Sequence, residues 1–146
     1  KIIQSRYSNT QDTALPDTGF YRKRIVADDV LCTVDVLDIA DHENTALQEH
    51  IRNSDGVILA YSIANRRSFK CIQDYHAQIQ RVKNSHLLPM ILAGTSCEQL
   101  KEQKVSIAEA SKLATTTLRC NILEVSASKA INIDPIFHHI VKEIRQ

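Results

Sequence analysis

Val57-Ile58-Leu59-Ala60-Tyr61-Ser62-Ile63 is a continuous apolar run, interrupted only by the small Ser62. Such a run suits a strand covered on both faces, as inside a mostly parallel sheet; a half-wet strand would alternate instead. The neighbouring segments agree. From Arg67 to Lys83, the residues Phe69, Ile72, Tyr75, Ile79 and Val82 recur at spacings of three and four, so they share one helical face. Pro89-Met90-Ile91-Leu92-Ala93 is a second buried-strand pattern. Strand, helix and strand in this order imply a right-handed crossover.

The rest of the chain extends the pattern. Phe20 to Ala27 and Val30 to Asp38 read as strands joined by a short polar turn at Asp28-Asp29, which makes a hairpin. Ala46 to Asn53 is a short helix candidate. Ser106-Ile107-Ala108-Glu109 has capping-box spacing and should open a helix to about Leu118. Asn121 to Val125 is a short strand. Asn132 to Arg145 is a final helix with Pro135 in its first turn and Ile133, Phe137, Ile140 and Ile144 on its buried face. The expected fold class is α/β: a hairpin followed by alternating helices and strands in a doubly wound, mostly parallel sheet. Ligands in such sheets sit at the carboxyl ends of the strands.

Composition narrows the function classes. With 146 residues the chain is a single domain, 1–146, able to bury a core. A net charge of +1 gives no general attraction to nucleic acid or to an anionic membrane. No run of 18 apolar residues exists, and the first ten residues are too polar for a signal peptide. Cys32, Cys71, Cys97 and Cys120 form no C-x-x-C pair and match no zinc spacing, so a reducing, cytoplasmic setting is expected. Three glycines, Gly19, Gly56 and Gly94, do not cluster as a phosphate-cradling loop requires. His138 and His139 are adjacent on the last helix and so face different ways, which speaks against a shared metal. Arg66, Arg67, Lys70, Arg81 and Lys83 make the long helix basic, a solvated face or a contact for an acidic partner.

Several segments resemble Ras-type small GTPases in order and spacing. Asp35-Val36-Leu37-Asp38-Ile39-Ala40-Asp41-His42-Glu43 is similar to D-x-L-D-T-A-G-Q-E. Tyr21-Arg22-Lys23 opens a strand as in Ras, and Phe69 to Lys83 follows the Ras helix down to Gln78-Ile79-Gln80-Arg81-Val82-Lys83. Pro89 to Gly94, Glu124-Val125-Ser126-Ala127 and Glu143-Ile144-Arg145-Gln146 resemble later landmarks. The resemblance implies a Ras-like fold over nearly the whole chain. It also implies that one central strand is missing, because Lys1-Ile2-Ile3-Gln4 resembles the middle of the helix after the phosphate loop. Both the first strand and the phosphate loop are therefore expected to be absent from this chain. A vacant central position would leave unpaired backbone groups, each costing roughly 1–3 kcal/mol. Either the native chain extends before Lys1, or another segment fills the gap.

The motifs named by the resemblance are altered. No G-x-x-x-x-G-K-[ST] occurs. Pro16-Asp17-Thr18 stands at the first switch; Thr18 takes the place of the Mg²⁺-binding threonine only with a one-residue shift. Asp38 matches the acidic residue that holds Mg²⁺ through water. Asp41 replaces the glycine that meets the terminal phosphate, and like charges about 4 Å apart repel by several kcal/mol at a surface dielectric. His42 replaces the catalytic glutamine. Thr95-Ser96-Cys97-Glu98 stands at the guanine-reading motif, where the longer Glu98 shifts its carboxylate by about 1.5 Å. Ser126-Ala127-Ser128 lacks the lysine of the last nucleotide loop.

Losing three or four charge-assisted hydrogen bonds removes ~5–12 kcal/mol, on the order of four to eight decades of affinity. The leading expectation is a degenerate Ras-like domain: a protein-interaction module with weak or no GTP binding, no cofactor and no enzymatic activity. Its contact face would be the switch surface, with Pro16, Asp17, Thr18, Phe20, Tyr21, Arg22, His42 and Glu43. A second expectation is a slowly hydrolysing GTPase whose phosphate loop precedes Lys1, binding GTP or GDP and Mg²⁺ through Asp38, Glu98, Ser126 and Ala127. A third is a structural subunit completed by a neighbour's strand. Membrane attachment is not read from this chain.

Overall fold

The computed structural model describes residues 2–6, 20–40, 44–83, 88–97 and 99–146. Six strands form one sheet: β1 (Ile2–Arg6), β2 (Phe20–Ala27), β3 (Val30–Ala40), β4 (Gly56–Ser62), β5 (Met90–Thr95) and β6 (Asn121–Glu124). Their order is β2-β3-β1-β4-β5-β6, and every pairing is parallel except the β2–β3 hairpin. The helices are α1 (Asn44–Arg52), α2 (Arg66–Val82), α3 (Ile107–Leu113) and α4 (Ile133–Arg145). This is the doubly wound α/β fold expected. No helix among the described residues is long and apolar enough to cross a membrane.

β4 explains the two-sided core. Val57, Leu59 and Tyr61 pack with Ile51 of α1, with Phe69, Ile72, Tyr75 and Ile79 of α2, and with Ala110 and Leu113 of α3. Ile58 and Ala60 point the other way, joining Ile25, Val34, Val36, Ile91 and the α4 residues Ile136, Ile140 and Val141. α4 presses close: a Cβ on Gly56 would lie 2.9 Å from Ile144 Cδ1, so the tip of that side chain would have to shift to admit one. Ile136 and Val141 are the deeper positions of α4 beside Ile140, while Ile133, Phe137 and Ile144 are partly buried. Phe137 lies instead under the Lys23 ammonium, 5.0 Å from its ring centre.

The hairpin turn has positive φ at both Asp28 and Asp29 (52° and 64°), the handedness that matches twisted strands. Helix caps obey the sequence logic. Asn65 caps α2 by accepting from the Ser68 amide at 3.2 Å. Ser106 caps α3 by accepting from the Glu109 amide at 3.2 Å, but the Glu109 carboxylate turns away to pair bidentately with Arg66. α3 runs on into a π-helical turn, Ala114–Leu118, which ends at Arg119 with φ 55°.

Ile2–Arg6, whose sequence resembles the middle of a helix, is instead a strand paired in parallel with both β3 and β4. The facing edges of β3 and β4 present rows of unpaired N–H and C=O groups, and a neighbouring extended segment satisfies them.

Candidate functional site

At the carboxyl edge, β3 ends at Ala40, β1 at Arg6, β4 at Ser62, β5 at Thr95 and β6 at Glu124. This is where a doubly wound sheet offers a ligand crevice. Two of the predicted loops meet here. The Val125 amide donates to Gly94 O at 2.7 Å, and the Cys97 amide donates to Val125 O at 3.2 Å, so residues 95–97 and 125–128 are laced together.

Within these loops the polar groups serve the fold. Thr95 Oγ1 donates to Tyr61 O at 3.0 Å. Ser96 turns the chain with φ 61°, and its carbonyl accepts from the Gln99 amide at 2.9 Å. Ser126 is fully buried, exchanges backbone hydrogen bonds with Ile131, and its Oγ accepts from the Lys129 amide at 3.1 Å. Ser128 Oγ lies 3.3 Å from Ser126 Oγ, and exposed Ala127 sits at the turn between them. Asn132, at φ 57°, donates its side-chain amide to Glu124 O at 2.8 Å, fastening the loop to α4.

Beneath the loops lies Tyr61, 1% exposed, whose hydroxyl has no hydrogen-bond partner among the described residues. Its ring meets Phe69 edge-on at 5.0 Å. Burial pushes the phenol above its usual range, with the Glu124 and Glu109 carboxylates adding to the effect.

The switch-side candidates are placed in part. Asp38 lies in β3 in register with Gln4, and Phe20 and Tyr21 lie in β2 opposite Leu37 and Val36. Arg22 is exposed and bonds Asp35 through Nε at 2.8 Å, which raises its guanidinium's affinity for its proton. Pro16, Asp17, Thr18, Asp41, His42, Glu43 and Glu98 lie outside the described residues. His138 Nδ1 approaches Asp134 O at 2.9 Å, while His139 Nε2 lies 2.9 Å from both Glu143 Oε1 and Asn121 Nδ2.

A cleft of ≈ 1220 Å³ lies at the opposite, amino-terminal edge, lined by His76 and Gln80 of α2, Thr115 to Asn121, and Glu143. His76 is buried there, with Nε2 3.2 Å from Gln80 Nε2; burial lowers its proton affinity. Burial also pushes the Cys120 thiol up to about 12. Sequence reasoning missed His76. The signal was present, since position 76 continues the apolar stripe at i+4 from Ile72.

The Ras family model matches residues 1–146. The chain is 38% identical to Ras-like protein RAS2 of Hydra vulgaris over 147 residues, covering 99% of this chain and 75% of that protein. It is 37% identical to a Ras-like protein of Laccaria bicolor over 148 residues, covering 100% of this chain and 69% of that protein. Ras-like protein 1 of Saccharomyces cerevisiae is 35% identical over 147 residues, with 99% of this chain and 47% of that protein covered. Collinear identity of this extent, on a sheet whose equivalent loops meet at one carboxyl edge, makes the chain a member of the Ras family.

Proposed function

We propose that this Ras-family domain is a pseudo-GTPase: a protein-interaction module that does not depend on a nucleotide. Members of the family bind GTP or GDP with Mg²⁺, and here the residues fit that group poorly. The carrying observation is the set of residues at the motif positions that the resemblance names: Asp41 and His42 stand where the phosphate-sensing glycine and the catalytic glutamine belong, and Thr95-Ser96-Cys97-Glu98 stands at the guanine-reading motif. A carboxylate at position 41 repels the terminal phosphate, and the longer Glu98 displaces the fork that reads the base. The base side supports the same reading. Thr95 and Ser126 spend their hydroxyls on Tyr61 O and the Lys129 amide.

The contact face in this proposal is the switch side of the sheet. Pro16, Asp17, Thr18, Phe20, Tyr21, His42 and Glu43 contribute to it, with the exposed Arg22–Asp35 pair at its margin. Its partner is a protein. A second reading, a slow guanine-nucleotide switch, draws support from the close approach of the two base-side loops. Quantifying nucleotide released by heating the purified protein separates the two. The proposal expects none at stoichiometric level, and no shift of the thermal midpoint on adding GTP and Mg²⁺. One equivalent of guanine nucleotide per chain overturns it.

A further inference from the structure

The β2–β3 hairpin carries an apolar spot in the open. Among the described residues, the exposed large hydrophobics Val26 (56% exposed), Val30 (44%) and Leu31 (62%) all stand at its tip. Cross-strand register sets Val26 opposite Leu31, Arg24 opposite Thr33 and Arg22 opposite Asp35, so these six share one face. The other face, with Ile25, Ala27, Val34 and Val36, packs with Ile136, Ile140 and Val141 of α4. The open face therefore lies on the side of the sheet where α1, α2 and α3 cover β4. Over β2 and β3 that helical layer stops, since Arg22, Arg24, Val26, Leu31 and Thr33 are all exposed. An antiparallel pair can face water on one side, but it then carries polar residues there. Val26 and Leu31 break that rule side by side.

Charge gives the spot a direction. Arg24 lies two residues before Val26, about 7 Å along the strand, and Asp29 lies two residues before Leu31, at the tip. A cation, an aliphatic pair and a carboxylate thus follow one another. Arg22 is held by Asp35, and Lys142 approaches Asp28 at 3.9 Å. The side chains of Arg24 and Asp29 make no ion pair or hydrogen bond among the described residues. These observations choose the occupant. A second copy docked with its hairpin antiparallel matches the charges, but lays its own helical layer on α1 and α2. Docked parallel, it clears those helices but sets Arg24 against Arg24. An anionic lipid surface meets the Asp28 and Asp29 carboxylates at the tip. A helix has neither conflict, because it continues the layer that α1 and α2 begin. Four residues of helix rise about 6 Å, close to the spacing of the three groups.

We propose that the open face of the β2–β3 hairpin docks an amphipathic helix of a partner protein that carries Glu, Leu and Lys in that order at four-residue spacing. The Glu pairs with Arg24, the Leu packs on Val26 and Leu31, and the Lys meets Asp29. The helix runs along β2 toward the tip. That is also the direction of α1 and α2, since β2 is antiparallel to β3 and the strands beyond β3 are all parallel to it. Glu near its start and Lys near its end suit the helix's own dipole. The site lies beyond the switch-side contact face, meets it at Arg22, and does not rest on the nucleotide reading.

The test is a titration of the whole isotope-labelled chain, followed by its amide resonances, with two synthetic alanine-based helical peptides of about 18 residues. One carries Glu, Leu and Lys in that order, and the other reverses it. The first should shift the amides of residues 22–33 to saturation with a dissociation constant below about 1 mM. The second should bind about tenfold more weakly or worse. Arg24→Glu should bring the two peptides to within about twofold of each other. Leu31→Ser should abolish both responses while the thermal midpoint stays within about 2 °C, because the residue is exposed. Equal binding of the two peptides to the parent chain, no shift at about 1 mM peptide, or shifts lying away from the hairpin overturns the proposal. Self-association, or binding to phosphatidylserine vesicles, that Leu31→Ser abolishes overturns it as well, since either gives the face another occupant. The pseudo-GTPase reading stands or falls on nucleotide content, which this titration does not measure.

Discussion

The Tyr61 hydroxyl is a buried donor with no partner among the described residues, and such a group costs free energy that phenylalanine would not. Tyr61→Phe is therefore expected to stabilise the domain by about 1–2 kcal/mol, read as a higher urea midpoint with unchanged slope. Gly94 reports the same crowding from the other side, since a Cβ there would lie 2.7 Å from Tyr61 Oη and 3.0 Å from Cζ. Gly94→Ala should destabilise by about 1–3 kcal/mol. Tyr61→Phe should return part of that loss, because it removes the closer of the two contacts, so the pair is non-additive. His76 gives a pH dependence of definite sign. Burial lowers its folded proton affinity, so the unfolded chain binds the proton first as pH falls. Stability held at pH 7.5 should decline as pH drops through the ordinary histidine value near 6.5. His76→Gln should flatten that decline in a series of denaturation curves; an unchanged slope with pH would show that other groups govern it.

At the level of elements, the entry into α2 concentrates several hydrogen bonds on one hydroxyl. Ser68 Oγ accepts from the Ser62 amide at 2.9 Å and donates to Asn65 O at 2.7 Å, while Asn65 caps the Ser68 amide. Asn65→Ala should cost about 1 kcal/mol, the usual worth of a cap. Ser68→Ala should cost more, about 1–3 kcal/mol, because it leaves the Ser62 amide without its acceptor in a part-buried place. Equal losses in the two variants would show that water replaces the serine. α2 and β4 were legible in the sequence because each shows one period over many residues: Phe69, Ile72, Tyr75 and Ile79 are all buried, as is Val57 to Tyr61. β1 was not, since Ile2-Ile3-Gln4 is too short to separate a helical period from a strand and its form is set by the ladders beside it. The site was legible in its loop positions. The use of Thr95 and Ser126 within the fold was not, because those partners, Tyr61 O and the Lys129 amide, are fixed by the arrangement of the chain in space.

Over the whole molecule, the sheet separates two cores that share no side-chain layer. Ile72 lies at the centre of one, beneath α2, and Ile140 at the centre of the other, beneath α4; both are 0% exposed. Removing three carbons from either leaves a cavity that a close-packed interior cannot wholly collapse, so each Ile→Ala change should cost about 2–5 kcal/mol. Because the two residues belong to separate buried clusters, the losses should add to within about 0.5 kcal/mol. A domain of this size holds roughly 5–15 kcal/mol in all, so the sum reaches much of the total. Ile72→Ala and Ile140→Ala should each give a single cooperative urea transition at a lower midpoint, and the double variant should be largely unfolded in buffer. If instead one variant melts in two steps, the faces are not joined into one cooperative unit. The strand they share at the centre, where β1 meets β3 and β4, would then be the weak seam between them.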